Sequence, residues 1–269
     1  MLWNAVNGEV KVRDSGMYYV SFGHGAKKLV ILPGLSDGLA TVKGKALMLA
    51  GPYKLFFDKY TVYMFSRKNE MPSGYSIRNM AYDQALAMRS LGMDKASVLG
   101  VSEGGMIAQY LAVDHPELVE KLVIAVSAPN AGKLARECVS RWLEIAEKND
   151  HKSLMIDTAE NSYSPARLEK YRKMYPVLGF VGKPKSYDRF RVNANAILWF
   201  DARSDIHKIS CPTLIIAGED DKIVGVDASY EMNRLIEGSS LFVYPGLGHA
   251  LYEEAPDFNR RVYGFLEEN

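Results

Sequence analysis

The chain has 269 residues, 48% of them hydrophobic, with 33 Lys and Arg against 32 Asp and Glu and a formal net charge of +1. That supports one large α/β core with an insertion, and the balanced charge gives no general attraction for nucleic acid or anionic lipid, so a small-molecule partner is expected. Cys138 and Cys211 stand far apart and read as free, buried thiols, while the lack of a basic-then-apolar N-terminal run and of any span-length apolar stretch sets the expectation of a cytoplasmic chain without membrane insertion.

Val10 and Val12 alternate with charged neighbours, Met17 to Phe22 is β-prone, and Asp14-Ser15-Gly16 lies between them as a turn. These predict an antiparallel hairpin at a sheet edge. His24-Gly25 reads as a turn. Leu29-Val30-Ile31-Leu32 is an uninterrupted apolar run that fits a parallel strand covered on both faces, and it ends in Pro33-Gly34, where a functional loop is expected. Gly38 to Lys45 looks superficially like a phosphate loop, but five residues separate its glycines and Ala46 follows Lys45 where a hydroxyl is needed. Thr61 to Phe65 is the next strand, followed by a polar loop from Arg67 to Gly74. A helix then starts at Ser76 as cap, with Ile77, Met80, Ala81, Ala85, Met88 and Leu91 on one face.

Lys95 to Val101 reads as a buried strand and Gly104 to His115 as a helix, and between them stands Gly100-Val101-Ser102-Glu103-Gly104. Ser102 therefore falls on a tight turn in a strained backbone conformation, its hydroxyl lifted above the sheet beside the free N–H groups of a helix start. This strand, turn and helix resemble the nucleophile elbow of the α/β-hydrolase fold superfamily. The resemblance implies a mostly parallel central sheet flanked by helices, and a serine hydrolase. In that family the loop after the strand at 29–32 commonly reads His-Gly, and the N–H of the residue after the Gly donates to an oxyanion. Here Pro33 replaces the His, Gly34 is kept, and the implied donor is Leu35. Proline has no imidazole with which to anchor that loop.

Lys121 to Val126 is again strand-like and ends at Ser127-Ala128-Pro129 with no carboxylate, so a catalytic acid must come later. From Asn130 to His207 the strand and helix alternation breaks. Leu134, Cys138, Trp142 and Ile145 mark one helix, Ser164-Pro165 opens a second with Leu168, Tyr171 and Met174, and Phe190, Ala194, Ile197 and Phe200 mark a third. This insertion resembles the family's helical cap and implies an apolar pocket roof. The expected division is a core of residues 1–129 and 210–269 with a helical cap at 130–209. The core resumes at Pro212 to Gly218, a buried strand followed by Glu219-Asp220-Asp221. Leu241 to Tyr244 is the last strand, the chain then runs Pro245-Gly246-Leu247-Gly248-His249-Ala250, and a final helix carries Phe258, Val262, Phe265 and Leu266 inward.

By the resemblance, the acid lies three residues past Gly218, which selects Asp221 with Asp220 as the alternative. Ser102, Asp221 and His249 follow the chain order of the fold's triad, each just after a predicted strand. The implied chemistry is cleavage of a small-molecule carboxylic ester through an acyl-enzyme, with the backbone N–H groups of Leu35 and Glu103 as oxyanion hole and no cofactor or metal. A thioesterase, an amidase or a carbon-carbon bond hydrolase on the same triad, or a non-catalytic ligand-binding protein on this fold, remains open. The Glu103 side chain has two readings: a solvated acid at a helix start, or a pocket residue that selects cationic substrates. His115, His151 and His207 have no ligand partner at metal spacing.

Overall fold

The apolar runs come together side by side. In the computed structural model, which describes residues 2–268, eight strands form one sheet: β1 (Val6–Val12), β2 (Ser15–Gly23), β3 (Lys27–Leu32), β4 (Tyr60–Lys68), β5 (Ala96–Val101), β6 (Val119–Ala125), β7 (Thr213–Gly218) and β8 (Ser240–Tyr244). Their order is β1-β2-β4-β3-β5-β6-β7-β8. The hairpin of β1 and β2 is antiparallel and joins β4 antiparallel, while every pair from β4 to β8 is parallel. β5 and β7 are buried along their whole length, which is why they read as continuous apolar runs.

Alternate residues of the central strands serve opposite layers. Val30, Leu32 and Val98 join one core cluster; Leu29, Ile31 and Leu99 join the other. The helices are α1 (Ala46–Ala50), α2 (Ile77–Ser90), α3 (Glu103–Asp114), α4 (Lys133–Glu147), α5 (His151–Ser162), α6 (Pro165–Tyr171), α7 (Asp188–Leu198), α8 (Val226–Leu235), α9 (Leu251–Glu254) and α10 (Phe258–Glu267). α2, α3 and α8 cover the first layer, and α1 with α10 the second. Ser76 caps α2 by accepting from Asn79 N at 3.1 Å, and Ser164 caps α6 by accepting from Arg167 N. No helix among the described residues is long and apolar enough to cross a membrane.

Helices α4 to α7 all fall between β6 and β7. The two ends of this excursion are tied together: Ala131 N donates to Phe200 O at 3.0 Å and Ala202 N to Pro129 O at 2.8 Å. Elsewhere it is clamped to the rest of the chain by Ser164, whose N and Oγ both donate to Glu254.

Three local expectations need correction. β4 does not stop at Phe65 but continues to Lys68, because Arg67 and Lys68 are buried rather than solvated and Lys68 still pairs with Met17. α5 was not expected. Its apolar residues Leu154, Met155 and Ile156 are consecutive rather than spaced at the helical period, so one sequence face does not stand out. Cys138 is buried, its thiol pushed up to about 12 by burial, whereas Cys211 is only half-buried; both are free.

The C-terminal helix is held by charge. Glu267 accepts from Lys59 Nζ at 2.5 Å, Tyr60 OH at 2.7 Å and Lys27 Nζ at 2.9 Å, and these bonds hold its carboxyl down to about 2. A folded value below the ordinary 4.5 contributes stability that is present above that value and lost as pH falls toward about 2. Glu267→Gln is therefore expected to lower Tm at pH 7, with the gap to the unaltered chain narrowing as pH drops from 5 to 3. A gap independent of pH would assign the effect to packing instead.

Candidate active site

β5 ends at Val101 and α3 begins at Glu103, which leaves Ser102 alone on the turn at φ 54° and ψ −119°. A non-glycine residue in that region costs about 1–3 kcal/mol and persists only when its surroundings fix it. Here Ser102 N donates to Ala125 O at 2.9 Å, and Ser127 Oγ donates to Ser102 O at 2.8 Å. Gly104 is needed for a different reason. A Cβ at that position would lie 1.9 Å from the Leu32 carbonyl oxygen, so only glycine lets α3 start against the end of β3.

Asp221 follows β7 and is buried. Its Oδ1 accepts from Ile223 N at 2.8 Å and Val224 N at 3.0 Å, which leaves Oδ2 to His249 Nδ1 at 2.8 Å. Burial pushes this carboxyl up, but the His249 ring and the two main-chain N–H groups outweigh it, and the carboxyl lies below its ordinary value. Asp220, the alternative, is exposed, and its main-chain N–H donates to Leu247 O in the histidine loop. The other nitrogen of His249, Nε2, lies 2.9 Å from Ser102 Oγ. With the ring proton on Nδ1 facing the carboxylate, Nε2 is the acceptor for the Ser102 hydroxyl.

The loop after β3 reaches the same point. A Cβ on Gly34 would sit 3.2 Å from Ser102 Cβ, and Leu35 then opens a short 3-10 turn, Leu35–Gly38. Among the described residues, neither Leu35 N nor Glu103 N donates to a protein acceptor.

Both readings of the Glu103 side chain are corrected. The carboxylate is 0% exposed, so it is not a solvated acid, and it does not line the cavity in front of Ser102. It points instead to Arg67, likewise 0% exposed, whose Nη2 donates to Glu103 Oε2 at 2.9 Å and to Pro33 O at 2.6 Å. Burial pushes the Glu103 carboxyl above its ordinary value, with Arg67 opposing. Around this pair, Asp37 Oδ2 accepts from Arg67 N at 2.9 Å and from Arg189 Nη2 at 2.7 Å. Arg189, on α7, also donates to the main-chain oxygens of Asp37, Arg67 and Lys68. Sequence reasoning missed Arg67, Asp37 and Arg189, because nothing beside any of them in the chain shows that a charged side chain turns inward.

Ser102 and His249 open onto a cavity of ≈ 140 Å³. Leu35 and Ile223 contribute to its walls from the sheet side, and Trp142, Leu154, Met155 and Phe190 from α4, α5 and α7. Thr158 and Ser36 bring hydroxyls, and among the described residues no Lys, Arg, Asp or Glu side chain lines it. His151 lies elsewhere, buried, bonded to Tyr187 OH at 3.0 Å and Val181 O at 2.9 Å. Among the described residues no group of His, Cys, Asp or Glu is placed to hold a metal ion.

A sheet in this order, with a strained serine after β5 hydrogen-bonded to a histidine loop after β8, defines a class of protein. The model of the alpha/beta hydrolase fold family matches residues 58–256, and the chain belongs to that family. A protein of Caulobacter sp. (strain K31) that carries the name carbamate hydrolase RutD is 27% identical over 267 residues, covering 93% of this chain and 96% of its own. A 2-hydroxy-6-oxononadienedioate/2-hydroxy-6-oxononatrienedioate hydrolase of Pseudomonas sp. is 28% identical, covering 97% of this chain and 93% of its own. Among solved structures, the enol-lactonase of Burkholderia xenovorans LB400 has a TM-score of 0.83 at 20% identity, with 97% of this chain and 100% of that one covered.

Proposed function

We propose that this chain is a serine hydrolase that cleaves a small, uncharged carboxylic ester through an acyl-enzyme. Residues 130–209 act as the cap over a core of 1–129 and 210–269. The observation that carries the reading is the row Ser102–His249–Asp221, hydrogen-bonded end to end and opening onto an uncharged cavity.

In this reading His249 Nε2 takes the Ser102 proton as Oγ attacks the ester carbonyl, and then delivers it to the departing alcohol. Asp221 holds the ring in the required tautomer and balances the imidazolium. The N–H groups of Leu35 and Glu103 receive the tetrahedral oxyanion, and losing such a donor costs about 3 kcal/mol in comparable sites. Water, activated by the same histidine, then releases the acid.

The cavity narrows the substrate class. At ≈ 140 Å³ the space is well below the ~300–1,000 Å³ of pockets that take drug-sized ligands, which favours a short acyl chain. The Pseudomonas relative is named for dicarboxylate substrates, and a lining without a cationic side chain offers such a substrate no partner, which favours the ester over carbon-carbon cleavage. A small carbamate is the second reading, supported by the name of the Caulobacter relative and by the hydroxyls of Thr158 and Ser36, which can accept from a carbamate N–H.

Among p-nitrophenyl esters, kcat/KM is expected to be highest for acetate to butyrate and lowest for octanoate. Met155→Ala enlarges the cavity from a half-buried position and should raise the octanoate-to-acetate ratio. An unchanged ratio would place the acyl group elsewhere.

A further inference from the structure

We infer that Arg67 is the positioning residue of the oxyanion hole: its buried guanidinium fastens the Pro33 carbonyl, two residues before the Leu35 donor, to the carboxylate of Glu103, whose own N–H is the second donor. The inference rests on the serine hydrolase reading. The two donors belong to separate pieces of chain, the loop after β3 and the first residue of α3. An oxyanion site works only when its donors are held to within about 0.5 Å of the productive geometry. Pro33 has no polar side chain for that purpose, and Gly34, which follows, has no Cβ to limit its backbone.

One nitrogen joins the two pieces. Arg67 Nη2 reaches Pro33 O at 2.6 Å and Glu103 Oε2 at 2.9 Å. The arginine is itself fixed through its main chain, N–H to Asp37 and C=O from Arg189, so the loop hangs from a paired strand rather than from another loop. Asp37 lies in the turn that Leu35 opens, so the same strand segment holds this turn at both ends. The choice of residue types points the same way. A fully buried ion pair is often no more stabilising than well-packed apolar residues of the same volume, so stability is a weak reason for an Arg and a Glu here. Orientation of a main-chain carbonyl is a stronger reason, since an aliphatic residue cannot hold one.

The test separates folding from positioning. Arg67→Met leaves the Glu103 carboxylate buried without its partner and should lower Tm. Arg67→Met/Glu103→Met removes both charges and should return Tm toward the wild-type value. For p-nitrophenyl acetate, kcat is expected to fall by about 100-fold in both variants with KM little changed, the scale of losing one oxyanion donor. Affinity for a boronic acid that forms a tetrahedral adduct on Ser102 should weaken in parallel. Arg67→Lys keeps a charge beside Glu103 and should recover part of kcat. If the double variant regains kcat together with Tm, or if kcat in Arg67→Met is unchanged, Arg67 is structural only and the inference is overturned. If wild type and Ser102→Ala are equally inactive across the ester series, the hydrolase reading itself fails and the oxyanion role of Arg67 goes with it.

Discussion

Ser102→Ala is expected to lower kcat toward a small ester by something like 10⁴-fold to 10⁶-fold while leaving the fold intact. The size follows from the serine's place in the row: among the described residues it is the only hydroxyl bonded to His249 Nε2, at 2.9 Å. In the proposed mechanism no acyl-enzyme then forms, and the residual rate reflects binding and the proposed oxyanion donors acting on water alone. The fold is spared because the bonds that hold the turn use the main chain of Ser102, its N–H to Ala125 and its C=O from Ser127. Alanine pays the same conformational cost at φ 54° as serine does. Steady-state kinetics beside a thermal unfolding curve check both halves; a variant that keeps a tenth of wild-type kcat would remove Ser102 from the chemistry.

Asp221→Asn should cost about 10⁴-fold in kcat, although it changes the side chain by one atom. Oδ1 of the wild-type carboxylate accepts from two main-chain N–H groups, Ile223 and Val224, so in the variant the amide oxygen must stay there. The NH₂ group is then left facing His249 Nδ1, 2.8 Å away in the wild type. It can only donate. That forces the ring proton onto Nε2, and the nitrogen that should accept the Ser102 proton already carries one. Loss of the same order in kcat with KM little changed is the expected signature, and a rate within tenfold of wild type would show that something other than Asp221 sets the tautomer.

Much of this site was legible before any geometry, for identifiable reasons. The elbow shows because close approach to Leu32 and a positive φ admit very few residues, so Gly104 and the sharp strand-to-helix change around Ser102 appear in the sequence itself. Asp221 and His249 could be picked out by chain order after strands whose apolar runs are unbroken, β7 buried and β8 mostly half-buried, although only the turn geometry separates Asp221 from the exposed Asp220. Glu103 was not legible. Its partner Arg67 lies 36 residues away on a strand that pattern reading ends three residues early, and no local period says that a charged side chain points into the protein. α5 was hidden for a related reason, since helices that pack partly on a cavity do not need a single clean apolar stripe. In each case the missed feature is a polar or irregular contact made between distant segments, whereas the features that could be read are set by neighbours in the chain.

Whether Ser102 is an activated nucleophile is decided by incubating the intact protein with a serine-directed fluorophosphonate, then measuring intact mass and mapping the modified peptide. One adduct per chain is expected, on Ser102, and none in Ser102→Ala. No adduct on the wild-type chain, or an adduct on a different serine, would contradict it and leave the fold as the frame of a ligand-binding protein.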